Sequence, residues 1–97
     1  MEETYGLFRK GLSLEEIAKS RGLAPSTIAA HLERLIHDGR DVDIDRLIDP
    51  GKRQQIEALF LTLQQWNLKS IVERSEGTIT YEEARLVRAC LLSKAPA

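Results

Sequence analysis

The sequence predicts an all-α fold of five to six helices, with an N-terminal trihelical unit followed by a helical C-terminal half. Two capping boxes, Ser13-Leu14-Glu15-Glu16 and Thr80-Tyr81-Glu82-Glu83, mark helix starts. Apolar residues recur at three- and four-residue spacing rather than in alternation. Only Thr78-Ile79-Thr80-Tyr81 has strand-like composition, and the second capping box claims half of it.

Taken in order, Tyr5, Leu7 and Phe8 predict a short first helix ending near Gly11. The first capping box opens a second helix of about two turns: the Ser13 hydroxyl takes an orphan amide proton, and Glu16 reaches back to the cap amide. Arg21-Gly22-Leu23 ends it, because glycine accepts the positive φ of a tight turn. Pro25 suits the first position of a third helix, where its missing N–H has no intrahelical partner to lose. Ala24 stands where a hydroxyl N-cap is usual, which weakens that start by roughly 1 kcal/mol. Ile28, Leu32, Leu35 and Ile36 form the helix's apolar stripe, and Gly39 is its natural terminator.

The stretch from Asp41 to Asp45 alternates polar and apolar residues, permitting a short strand or wing. Ile44, Leu47 and Ile48 also fit one helical turn, which is the preferred reading. Asp49-Pro50 is a cap followed by a first-position proline, and Ile56, Leu59, Phe60 and Leu63 define the longest helix. Trp66, Leu68, Ile71 and Val72 form a shorter apolar element ending at Glu76-Gly77, with Trp66 expected to be buried against the long helix. The second capping box opens the last helix, with Ala84, Val87 and Leu91 on one face. The expected organisation is a single domain over residues 1–97, with a helix-turn-helix unit at 3–39, C-terminal helices at 41–92 and a frayed tail at 93–97.

Composition narrows the function classes. The chain has 97 residues, enough for one core but with little room for a deep, walled catalytic pocket. No apolar run exceeds four residues, far short of the roughly 20 needed to cross a bilayer, and no signal-peptide pattern follows Met1. Cys90 is the single cysteine, so no intramolecular disulfide forms, and the expected compartment is a reducing, nucleoid-associated cytoplasm. Cys90 is read as filling core volume. Fourteen Lys and Arg against fifteen Asp and Glu leave a formal charge of −1. Within residues 1–40 six cations (Arg9, Lys10, Lys19, Arg21, Arg34, Arg40) balance six anions (Glu2, Glu3, Glu15, Glu16, Glu33, Asp38). A partner such as DNA would therefore be held weakly and in a salt-sensitive way.

The informative stretch runs from Leu14 to Leu32. Ala18 is small enough for close helix approach, Gly22 makes the turn, and Ile17, Leu23 and Ile28 plug the junction of two steeply packed helices. Ser26, Thr27, Ala30, His31 and Arg34 are the expected outer face of the third helix. Lys19, Arg21, Arg9 and Lys10 are the expected flanking phosphate contacts. The alternative reading is a protein-docking or scaffolding unit without DNA contact.

Glu16-Ile17-Ala18, Thr27-Ile28 and His31 resemble the recognition-helix pattern of LuxR-type proteins. More of the chain resembles the helix-turn-helix module at the C-terminus of RecQ-type DNA helicases. That likeness rests on Thr4, Leu7-Phe8, Gly11-Leu12-Ser13, Glu16-Ile17-Ala18, Arg21-Gly22-Leu23, Ser26-Thr27-Ile28 and His31-Leu32, and on Ile79-Thr80-Tyr81-Glu82-Glu83-Ala84-Arg85-Leu86-Val87 for the closing helix. The resemblance implies an accessory module that helps a tethered helicase core, or another protein partner, engage nucleic acid in DNA repair and recombination. It carries over no ATPase activity, because the sequence has no Walker A lysine.

Other constellations point to no chemistry. Asp41, Asp43 and Asp45 have the opening spacing of a calcium loop, but Arg46 replaces its glycine and Lys52 its closing glutamate. His31 and His37 are six apart on one helix, not the four of a helical metal pair. Neither a metal nor another cofactor is expected. Glu82-Glu83 read as helix-capping charge rather than a catalytic pair, and no catalytic triad motif is present, so no enzymatic activity is expected of the chain by itself.

Overall fold

The computed structural model describes residues 2–93 and is all-helical: α1 (Glu2–Arg9), α2 (Leu14–Arg21), α3 (Pro25–His37), α4 (Pro50–Leu63), α5 (Leu68–Arg74) and α6 (Tyr81–Ser93), with a 3-10 turn at Ile44–Arg46 before α4. The all-α expectation of five to six helices holds among the described residues. The tail expected at 93–97 lies, apart from Ser93, outside them.

Local chemistry sets the boundaries. Ser13 Oγ accepts the Glu16 amide at 3.2 Å while Glu16 Oε1 accepts the Ser13 amide at 2.8 Å, so the capping box is closed in both directions. The second box closes likewise, with Glu83 N donating to Thr80 Oγ1 at 3.1 Å and Thr80 N to Glu83 Oε1 at 2.9 Å. Gly22 takes φ +66 at the end of α2, a left-handed conformation that turns the chain into α3 with little strain. Asp49 Oδ2 accepts the Gly51 and Lys52 amides at the start of α4. Ala24 is extended before α3 and gives it no side-chain cap, as its methyl group requires.

The α3 and α6 helices form the most extensive pair and the spine of the molecule. On one side α1 and α2 pack on α3; on the other α4 and α5 pack on α6. Ile17, Ile28, Ala29, Leu32, Ile56, Ile71, Ala84 and Val87 are fully buried, and the core they anchor runs through both sets of helices. In the 41–45 stretch the helical turn prevails over the strand: Ile44 and Ile48 enter the core, while Asp43 Oδ1 caps the Asp45 amide at 3.1 Å.

Trp66 departs from expectation. It is 43% exposed, because Phe60 already fills the core site and the chain leaves α4 through the left-handed Gln64. The indole leans on Phe60 with ring centroids 5.4 Å apart. Cys90 is half-buried on α6, against the core.

Candidate nucleic-acid interface

Helical periodicity divides α3 into faces. Ile28, Ala29, Leu32, Leu35 and Ile36 point inward and are buried. Ser26, Thr27, Ala30 and Arg34 lie on the opposite ridge, with Ser26 and Arg34 exposed and Thr27 and Ala30 half-buried. His37 continues that ridge and is exposed. From the sequence it is weighed only against a metal pair with His31, although its spacing from Ala30 and Arg34 places it on the same stripe.

The two flanks of α3 are occupied by polar contacts to other helices. On the α6 flank, Glu33 forms an ion pair with Arg85, whose Nε lies 3.5 Å away, and accepts a hydrogen bond from Arg88 Nη2 at 3.2 Å, and Arg88 Nη1 donates to the Trp66 carbonyl at 3.0 Å. On the α1 flank sits His31, half-buried rather than on the outer face expected for it. Its Nδ1 lies 3.0 Å from Thr4 Oγ1 and 3.3 Å from Arg21 Nη1. Arg21 Nη1 also donates to Thr4 Oγ1 at 2.6 Å, and Arg21 Nε stands 3.6 Å from Glu3.

The physical reason is the buried Thr4 hydroxyl. Thr4 is the one fully buried polar residue among those described, and such a group costs free energy unless it is hydrogen-bonded. Arg21 and His31 turn inward to satisfy it. The structure thus brings these two together with each other and with α1, not with the α3 ridge. Burial, reinforced by nearby positive charge that includes Arg21, holds the His31 pKa below the usual histidine value.

The remaining cations are spread around the unit. Lys19 is exposed on α2, and Arg34 reaches its own Asp38 at 3.4 Å. Arg9 and Lys10 are exposed at the end of α1; the Arg9 guanidinium lies 5.7 Å from the Tyr5 ring centre, and Lys10 edges an open groove with Ser20 and Arg21. Arg40 is held by Glu2 through a bidentate contact of 2.8 and 3.0 Å, whose hydrogen bonds lower the Glu2 pKa. Near the start of α3, a cleft of about 210 Å³ sets Pro25 beside Glu15, Glu82 and Glu83 over a floor that includes Leu14, Ile48 and Leu86. Lys52 neutralises Glu83 at 2.9 Å, leaving Glu15 and Glu82 as the acidic edge at this end of α3.

Among the described residues no group of His, Cys, Asp and Glu could hold a metal ion, and no helix is long and apolar enough to cross a membrane. Two of the carboxylates in the 41–45 stretch serve local ends: Asp43 caps the 3-10 turn and Asp45 pairs with Arg53 at 3.1 Å.

The model of a family described as a helix-turn-helix domain matches residues 1–88. No curated protein and no solved structure gives a significant match to the chain.

Proposed function

Because the chain belongs to this helix-turn-helix domain family, we propose that it is a non-catalytic module that engages DNA through the outward ridge of α3. The observation that carries this reading is the ridge itself: Ser26 and Arg34 are exposed, with Thr27 and Ala30 half-buried between them, and together they offer short polar groups, a small residue and a guanidinium on the side of α3 away from its buried stripe. Lys19 on the neighbouring helix, Arg9 at the end of α1 and Lys10 just beyond it supply contacts to the nucleic-acid backbone, while Ser26, Thr27 and Arg34 meet the base edges or phosphates. Arg21 and His31 position α1 rather than touch the nucleic acid.

Electrostatics limits the grip. Arg34 is shared with Asp38, and Glu15 and Glu82 edge the start of α3. Few phosphates are neutralised, so affinity is modest and falls with salt in proportion to that small number. Such a module gains its strength from tethering, which raises the local concentration of the strand it meets. This agrees with the resemblance to the C-terminal module of RecQ-type helicases, and we assign the chain the accessory role of such a module in DNA repair and recombination.

Fluorescence anisotropy of labelled duplex, forked and single-stranded DNA at low salt tests the proposal. We expect binding whose log–log salt slope is about −2 to −4, matching two to four neutralised phosphates. Absence of binding at high micromolar protein overturns it. A second reading, docking to a protein partner, is favoured by the exposed Leu61 and Trp66 on the α4 side. On that reading Arg34→Glu leaves function intact and Trp66→Ala abolishes partner capture.

A further inference from the structure

The Thr4, His31 and Arg21 side chains come from three different helices, and their donors and acceptors can be assigned. Arginine has only protons to give, so Arg21 Nη1 donates to Thr4 Oγ1 at 2.6 Å. The Thr4 hydroxyl proton is then directed to His31 Nδ1 at 3.0 Å. A lone pair on that nitrogen accepts from the hydroxyl and the guanidinium together. In that arrangement His31 is neutral, with its proton on Nε2.

Protonating His31 breaks this assignment. Nδ1 would gain an N–H directed at Thr4 and at the Arg21 guanidinium, which lies 3.3 Å away. The Thr4 hydroxyl would lose its acceptor in a fully buried site. Two cations would meet with little to offset them. From α1 the charged group at the knot is Glu3, 82% exposed and 3.6 Å from Arg21 Nε; from α2 it is Arg21 itself. On α3 the next charged neighbour one turn on is Arg34, another cation. Of the charged groups of α6, Arg85 and Arg88 meet Glu33 on the opposite flank, while Glu82 and Glu83 line the cleft beside Pro25.

The other end of α1 is fastened differently. Phe8 is buried, and Arg46 donates to its carbonyl at 2.6 Å while lying over its ring. Those contacts join a guanidinium to a backbone carbonyl and a ring and involve no histidine.

We propose that Thr4, His31 and Arg21 form a proton-sensitive clasp that fastens the first turns of α1 to the helix-turn-helix pair while His31 is neutral and releases them when His31 is protonated. Opening is local: α2, α3 and α6 keep their apolar packing. The proposal is independent of whether the module binds DNA.

Two measurements on the full chain test it. A long-range 15N–1H spectrum at about pH 7.5 should show the His31 proton on Nε2, and finding it on Nδ1 overturns the assignment without any variant. Exchange of the Gly6–Arg9 amides, corrected for intrinsic chemistry, should speed by roughly threefold to tenfold between about pH 7.5 and about pH 5.5, with the Ile28–Ile36 amides unchanged. His31→Gln, whose amide oxygen can still accept from Thr4, should flatten that response, and His37→Gln should retain it. A wild-type response absent from α1, shared equally by α3, or persisting in His31→Gln overturns the clasp. If His31→Gln does not fold, Arg21→Gln serves in its place: removing the neighbouring cation should move the His31 titration to higher pH, and an unchanged titration overturns the proposal.

Discussion

Glu33 on α3 holds Arg88 of α6 at 3.2 Å, and Arg88 in turn reaches the carbonyl of Trp66 in the loop between α4 and α5. This carboxylate, whose side chain is 19% exposed, thereby joins the two sets of helices across the spine. Removing it leaves Arg85 and Arg88 without their carboxylate in a partly desolvated site. Glu33→Ala is expected to destabilise the protein by about 1–2 kcal/mol, discounted for the solvent that still reaches the arginines. Urea unfolding measures it, and a change below about 0.3 kcal/mol would refute the assignment.

Asp38 competes for Arg34. Both side chains are more than half exposed, so the pair adds only about 0.3–0.5 kcal/mol of stability. Asp38→Asn is expected to leave stability nearly unchanged and to tighten DNA binding at low salt by about twofold to fivefold, because it frees one cation of the ridge. Arg34→Gln should weaken binding and make the Asp38 substitution silent. Equal affinity in all three proteins would remove Arg34 from the interface.

Ala24 is extended before α3 with φ −69 and ψ 148, a conformation a serine N-cap shares. It is exposed, so a hydroxyl meets no obstacle. Ala24→Ser is expected to add about 0.5–1 kcal/mol and raise Tm by about 3–6 °C. Ser13→Ala, which opens the first capping box, should cost about 1 kcal/mol. Thermal melts of the two variants should shift in opposite directions.

The pH dependence follows from His31. Its folded-state pKa is lowered from 6.5, so the unfolded chain binds the proton more readily than the folded one. The stabilisation is fully present above 6.5 and is lost as pH falls through that value toward the depressed folded one. Urea midpoints should therefore drop between about pH 7.5 and about pH 5.5, and His31→Gln should reduce the slope. A wild-type midpoint that rises on acidification through this window contradicts the shift.

The sequence alone determined where α2, α3, α4 and α6 begin and where α2 ends. Ser13 with Glu16, Gly22, Pro25, Asp49 with Pro50, and Thr80 with Glu83 act through hydrogen bonds and dihedral preferences spanning no more than four residues, so their effects are legible without a fold. The inward stripe of α3 and the outward positions of Ser26, Thr27, Ala30 and Arg34 were legible for the same reason, as helical periodicity is a local property. Tertiary structure decided what lies on the flanks. His31 and Arg21 have the charge and spacing of surface contacts, yet a buried threonine 27 residues from His31 draws both inward. Trp66 has the size of a core residue, yet Phe60 occupies the site and leaves it half in solvent. A residue's own position fixes the direction in which its side chain leaves the helix. What it meets there depends on which helix packs alongside and which buried polar group still lacks a partner, and only the assembled α1, α3 and α6 supply that answer.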